Sequence, residues 1–171
     1  MSKSELTERR NFEFLVSGSG IAELHYALRV ADHGSVGLVT KKNAASSATQ
    51  FAQGGIAAVV DPLDSFEDHV QDTINAGAGL CNPDVVQFVI ERGPKAIETL
   101  LKYGVDFDRG GESQLYYDLG REGGHNKRRV LHHRDATGKE IQRALLARAV
   151  RHPNIELFDY HLAVDLITAH K

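Results

Sequence analysis

Cysteine is all but missing from this chain. Cys81 stands alone among 171 residues, which excludes an internal disulfide and a metal centre built from cysteines. Long apolar runs are missing as well, and no window approaches the ~20 residues of a membrane-spanning helix. Residues Met1 to Arg10 are polar and charged and lack the apolar stretch of a secretory signal. An excess of one charge is also lacking. With 20 basic and 23 acidic residues the net charge is −3, so nothing global points to nucleic acid or to an anionic membrane. No internal repeat or low-complexity tract is visible. A reduced, cytoplasmic setting is the expectation from these absences. What remains is ordinary for a globular chain: 42% hydrophobic and 25% charged, and long enough for one domain with a real core.

The pattern along the chain predicts an α/β domain. Phe12-Glu13-Phe14-Leu15-Val16 reads as a buried strand. Ile21–Val30 has helical spacing, with Leu24, Leu28 and Ala31 near one face, and Gly34 ends it. Val36-Gly37-Leu38-Val39-Thr40 is a second strand, so strand, helix and strand together have the length of one βαβ half-unit. Residues 41–61 read as a long ordered loop, and residues 64–76 as a helix capped by Asp64 or Ser65. Asn82-Pro83 starts another helix, expected to run to Arg92, break at Gly93-Pro94, restart and end at Gly104. Residues 105–135 read as loops or a hairpin, residues 137–152 as a helix, and residues 155–158 and 162–167 as strands. A two-half dinucleotide fold needs more elements than these, so a fragment or a truncated product is expected.

Three stretches carry the candidate chemistry. In the first, Val16-Ser17-Gly18-Ser19-Gly20-Ile21-Ala22-Glu23 passes from strand to helix through Gly-x-Gly. The first glycine permits the tight turn, and the second lets backbone approach a pyrophosphate at the helix N-terminus. The third glycine of that pattern, which allows close helix packing, is Glu23. The carboxylate that would hold a ribose is also missing from the end of the second strand, where Thr40-Lys41-Lys42 stands instead. A lysine there can pair with a phosphate or cover an adenosine edge. Taken alone, Gly-x-Gly is equally compatible with a structural turn.

In the second, Ser46-Ser47-Ala48-Thr49-Gln50-Phe51-Ala52-Gln53-Gly54-Gly55-Ile56-Ala57-Ala58 combines small residues, hydroxyls and amides with a Gly-Gly step. Such backbone can lie against a flat ring and hydrogen-bond it. A tight glycine turn under a small-residue packing face is the plainer alternative. The third, Gly120 to His133, concentrates Arg121, Glu122, His125, Lys127, Arg128, Arg129, His132 and His133 around Gly123-Gly124. Arginine there could clamp a dicarboxylate and histidine could carry a proton near neutral pH. Lys127-Arg128-Arg129 reads equally as a solvated charged face or a contact for nucleic-acid phosphates, although no interleaved aromatics support single-strand binding. Adjacent histidines on a strand point to opposite sides, which speaks against a metal site at His132-His133.

In this order and spacing the three stretches resemble the L-aspartate oxidase family, within the succinate dehydrogenase/fumarate reductase flavoprotein superfamily. Ala52-Gln53-Gly54-Gly55-Ile56-Ala57-Ala58-Val59, Ala76-Gly77-Ala78-Gly79-Leu80-Cys81, Arg121-Glu122-Gly123-Gly124-His125 and Leu131-His132-His133-Arg134-Asp135-Ala136-Thr137-Gly138 carry the likeness, which extends from Phe12 to Lys171. The resemblance implies an FAD-binding Rossmann-like βαβ unit with added helices, incomplete relative to the full family fold. Residues 1–11 are then a flexible tail, and residues 12–171 the N-terminal part of the FAD-binding domain, without the capping and C-terminal helical domains.

It further implies FAD held by Gly18, Ser19, Gly20, Ile21 and Ala22 at the pyrophosphate, by Lys41 at the end of the second strand, and by Ala48, Thr49, Gln50, Phe51, Ala52, Gln53, Gly54 and Gly55 along the flavin. Glu122 would receive the substrate ammonium and so favour aspartate over succinate, with Arg121 and His125 shaping the same pocket. The implied reaction is oxidation of L-aspartate, or a related dicarboxylate, to iminoaspartate by hydride transfer to FAD. Oxygen or fumarate would reoxidise the flavin, and the product would pass towards quinolinate synthase and NAD biosynthesis. No metal, nucleic-acid or membrane partner is expected. The family's catalytic arginine belongs to later domains, so poor turnover is expected of this chain alone. The alternative is a non-catalytic relative acting as an interaction or FAD-binding module.

Overall fold

The computed structural model describes residues 8–110 and 116–168. Most of the expected tail (residues 1–7), part of the expected hairpin region (111–115) and residues 169–171 lie outside the described residues. In chain order the first elements are β1 (Phe14–Ser17), α1 (Ile21–Val30), β2 (Val36–Val39), a 3-10 turn (Ala48–Phe51), β3 (Ile56–Ala57), α2 (Phe66–Ala76) and α3 (Pro83–Lys102). They are followed by β4 (Arg109–Gly110), β5 (Tyr116–Tyr117), β6 (Leu119–Gly120), β7 (Val130–Leu131), α4 (Thr137–Arg151) and β8 (Ile155–Phe158). The chain divides into two compact units, residues 1–46 with 146–171, and residues 47–145.

The first unit is the expected βαβ unit extended by β8. Its sheet has the order β1-β2-β8, all parallel, with Val16 opposite Leu38 and Leu38 opposite Leu157. The central strand β2 is the most apolar, and Val36 and Leu38 are fully buried. A side chain at Gly37 would displace the Phe12 ring, which lies 2.8 Å from where a Cβ would stand. Helix α1 buries Leu24, Ala27 and Leu28, with Ala31 just beyond its end, the one-sided stripe expected from a 3.6-residue period. Each buried leucine contributes about 2 kcal/mol of apolar burial. Asn154 secures the return strand: its side chain donates to the Ala31 carbonyl at 2.8 Å while its own carbonyl accepts from Val36 N–H at 2.8 Å.

The second unit pairs helices with small antiparallel sheets, β3-β7-β6 and β4-β5. Helix α2 begins at Ser65, whose hydroxyl accepts the Asp68 N–H at 3.0 Å. Helix α3 begins at Asn82, whose side chain accepts from Asp84 N–H at 3.1 Å, with Pro83 in the first turn. It ends where Gly104 adopts φ +90°, with Val105 N–H on the Leu100 carbonyl and Gly104 N–H on that of Leu101.

Two expectations need correction. Helix α3 runs unbroken through Gly93-Pro94. Gly93 has no Cβ to clash with the proline ring, and Ile90, Ile97 and Leu100 bury one common face on both sides of the step. Packing of that face outweighs one lost hydrogen bond. Residues 162–167 form no strand. They pair with no other strand among the described residues, and Val164 is 88% exposed despite the alternating apolar pattern.

Candidate functional site

In the first unit the Gly-rich turn sits at the carboxyl ends of the parallel strands, the edge at which open α/β sheets bind ligands. Gly18 adopts φ +117°, which a residue with a side chain avoids, and its N–H bonds the Val39 carbonyl at 2.8 Å. Ser19 is buried, with its hydroxyl 3.4 Å from that of Thr40, so the turn is tied to the end of β2. Gly20 is the N-cap of α1 and offers no side-chain cap, and Ile21 and Ala22 open the first turn on the exposed side. A helix N-terminus of this kind suits a phosphate. Lys41 is exposed, one residue beyond Thr40. Glu23 is the exception to the fit. Its Cγ, Cδ and Oε1 lie 3.0, 3.1 and 3.3 Å from where a Cβ on Gly18 would stand, so the side chain folds back over the turn.

In the second unit Ala48, Thr49, Gln50 and Phe51 form the 3-10 turn, and Ala52 to Gly55 lead from it into β3. Two glycines make this path possible. Gly55 has φ +114° and lies so close to β7 that a Cβ would collide with the Leu131 carbonyl oxygen. Gly138 donates its N–H to the Ala52 carbonyl at 2.8 Å, and a Cβ on it would collide with the Thr49 carbonyl. Ser47 donates to Gln142 at 2.9 Å. The segment is therefore held from behind by β7 and α4, while Phe51, Ala52, Gln53, Gly54 and Gly55 are exposed. A rigid, small-residue path with a free outer face fits a planar ring.

Glu122 lies beside this path. Its Oε1 is 3.9 Å from the Cβ position of Gly54, the one neighbour that position meets. Residues 121–129 connect β6 to β7, and Arg129 N–H closes the base on the Gly120 carbonyl at 3.1 Å. Further along, the loop is fastened to α2. Asp72 accepts from Asn126 N–H at 2.8 Å and from Arg129 Nη1 at 2.7 Å. Arg129 also chelates Asp64 through Nε and Nη2, both at 2.8 Å, and donates to the Asn126 side chain at 2.9 Å.

Arg129, for which a solvated face was one of the readings left open, is fully buried. Burial pushes the Asp64 carboxyl up, but hydrogen bonds from Arg129 and from Ser65 N–H outweigh it and hold the group below its ordinary range. Asp72 behaves likewise, with Asn126 N–H and Arg129 overcoming burial. Desolvation lowers the Arg129 pKa and the two carboxylates more than restore it, so the guanidinium stays charged.

His125 donates its backbone N–H to the Glu122 carbonyl at 3.2 Å. Its ring packs edge-on against His69 of α2 at 5.6 Å, and its buried Nδ1 has no hydrogen-bond partner among the described residues. His69 is held below its ordinary pKa by burial first and by the Arg129 charge second. Arg121, Lys127 and Arg128 are exposed. His132 and His133 do not diverge. β7 ends at Leu131, so strand alternation no longer applies, and both rings approach Asp108, at 3.2 and 3.6 Å. No group of residues suited to a metal ion occurs among the described residues. Asp64, Asp72 and Asp108 organise this side of the unit, and the sequence offers only Asp64 among them, as a possible helix cap.

A model of the FAD binding domain matches residues 13–171, nearly the whole chain. The chain belongs to the FAD-binding domain family. FAD is accordingly the cofactor of this domain. Among curated relatives, L-aspartate oxidase 2-b, chloroplastic, of Nicotiana tabacum is 52% identical over 93% of this chain and 24% of its own length. L-aspartate oxidase of Pseudomonas aeruginosa is 44% identical over 97% of this chain and 32% of its own length. The domain thus spans roughly a quarter to a third of these relatives. Among solved structures, a variant of Escherichia coli quinol fumarate reductase superposes with a TM-score of 0.85 at 29% identity, covering 93% of this chain and 27% of that one. A flavocytochrome c3 fumarate reductase, 23% identical with a TM-score of 0.77, shares the fold. No helix among the described residues is long and apolar enough to cross a membrane.

Proposed function

We propose that this chain is the N-terminal, FAD-binding part of an L-aspartate oxidase. The observation that carries the reading is the Glu122 carboxylate beside the exposed Gly54-Gly55 turn. FAD, when bound, supplies a two-electron acceptor. Gly18, Ser19, Gly20, Ile21 and Ala22 would hold its pyrophosphate, Lys41 would stand by the nucleotide, and Ala48, Thr49, Gln50, Phe51, Ala52, Gln53, Gly54 and Gly55 would line the ring.

Glu122 would bind the ammonium of L-aspartate. A carboxylate suits a substrate with an α-ammonium and repels a plain dicarboxylate, which has only negative ends. The substrate would be oxidised at its C–N bond to iminoaspartate, which suits a quinolinate synthase as the next enzyme. The likeness to enzymes named L-aspartate oxidase over 92–98% of this chain supports the reading. The single cysteine agrees with a reduced compartment such as the cytoplasm.

The test is anaerobic mixing of the FAD-loaded protein with L-aspartate or succinate, following the flavin absorbance. Slow bleaching by L-aspartate, and none by succinate, is expected. Equal bleaching by both removes the role of Glu122, and bleaching by neither favours a non-catalytic FAD-binding module.

A further inference from the structure

Glu23 occupies the position at which the dinucleotide-binding pattern has its third glycine. The structure shows how the chain accommodates it. Gly18 lacks a side chain, and the Glu23 side chain fills that space, with Oε1 only 3.3 Å from where a Gly18 Cβ would stand. A carboxylate is thereby laid over the turn that leads into the first turn of α1. That end of the helix has no side-chain cap, because Gly20 is the N-cap. The positive end of the helix dipole attracts the carboxylate and the cofactor's phosphates alike.

We propose that Glu23 is a charge gate on cofactor uptake. Its carboxylate shares the positive end of α1 with the incoming pyrophosphate and weakens FAD binding through like-charge repulsion, which keeps the cofactor exchangeable. The gate rests on the reading that the Gly18–Ala22 turn takes the FAD pyrophosphate. The repulsion acts on phosphates, so it discriminates between flavins. FAD carries two phosphate groups and riboflavin carries none. A negative charge within a few ångströms of them, near water, is worth about a tenfold change in affinity.

The experiment titrates FAD and riboflavin into the purified chain and into Glu23→Gln and Glu23→Gly variants. Flavin fluorescence is followed at low and high salt, and circular dichroism checks that each variant is folded. Glutamine keeps the length of the side chain and removes its charge. The expected result is that Glu23→Gln binds FAD about tenfold more tightly at low salt, and that the gain shrinks at high salt as the charges are screened. Riboflavin affinity is expected to be the same in all three proteins.

Equal or weaker FAD binding by Glu23→Gln overturns the gate. So does a gain that is undiminished by salt or shared by riboflavin, because either marks a packing effect. A gain confined to Glu23→Gly assigns the effect to side-chain bulk and overturns the gate equally. If all three fold and none takes up FAD, the cofactor reading of the turn fails and the gate fails with it. That outcome is distinct from one in which FAD binds all three alike.

Discussion

Arg129 donates through Nη1 to Asp72 Oδ2 over 2.7 Å, with the arginine side chain wholly excluded from solvent and the aspartate nearly so. The contact joins the loop that carries Glu122 to helix α2. Arg129→Met would strand the carboxylates of Asp64 and Asp72 in the interior. A loss of about 3–5 kcal/mol is expected, read as a shift of the urea unfolding midpoint. A triple variant with Asp64→Asn and Asp72→Asn added is expected to recover part of the loss, because the unpaired charges are then gone.

The same group of residues sets an acid response. His69 has a pKa below its ordinary 6.5, from burial and then from Arg129, so the fold prefers the neutral ring. The unfolded chain takes up this proton first as pH falls. Stability is therefore full above about pH 6.5 and declines below it, towards the lower folded value. Asp64 and Asp72 are also depressed. Their contribution is present above about pH 4 and is lost as pH falls through their lower folded values. His69→Gln is expected to flatten the first decline and leave the second. Unfolding midpoints measured across this range check both.

Gly138 leaves room for the Thr49 carbonyl and bonds that of Ala52. Gly138→Ala forces the residue 48–52 segment away from α4. The expected cost is at least about 2 kcal/mol of stability, with weaker FAD binding in the variant that remains folded. Calorimetry and flavin titration on the same sample report the two effects. Unchanged binding would place the ring elsewhere.

Glu122 is exposed and held by few contacts of its own. Glu122→Gln is expected to leave stability within about 0.5 kcal/mol of the parent. Its effect should fall on selection. Flavin reduction by L-aspartate should weaken by about 2 kcal/mol, the worth of a charge-assisted hydrogen bond, while succinate is no longer repelled. Single-turnover rates with each substrate measure it.

The βαβ unit was legible because its signals are local. Apolar spacing over Leu24 and Leu28 and the glycines at the strand-helix turn reveal it without knowledge of distant partners. The helix caps at Ser65 and Asn82 were legible for the same reason. Pro94 misled because its local penalty is outweighed by burial of Ile97 and Leu100 further along the helix. Leu162, Val164 and Leu166 misled in the opposite direction, since alternation without a neighbouring strand makes no ladder.

The candidate site divides similarly. The Gly54-Gly55 turn and Glu122 could be picked out by residue type, and the fold brings them together. Arg129 could not be told from its exposed neighbours Lys127 and Arg128, because its partners stand 57 and 65 residues away. The convergence of His132 and His133 on Asp108 depends on where β7 stops, which two residues of strand do not announce.

Every role proposed for this chain depends on its holding FAD. Titrating FAD into the purified chain while following flavin fluorescence and the visible bands tests it most directly. Saturable uptake of one FAD per chain is expected, with perturbed flavin bands and a raised melting temperature. A folded chain that stays colourless and unstabilised at saturating FAD would contradict it.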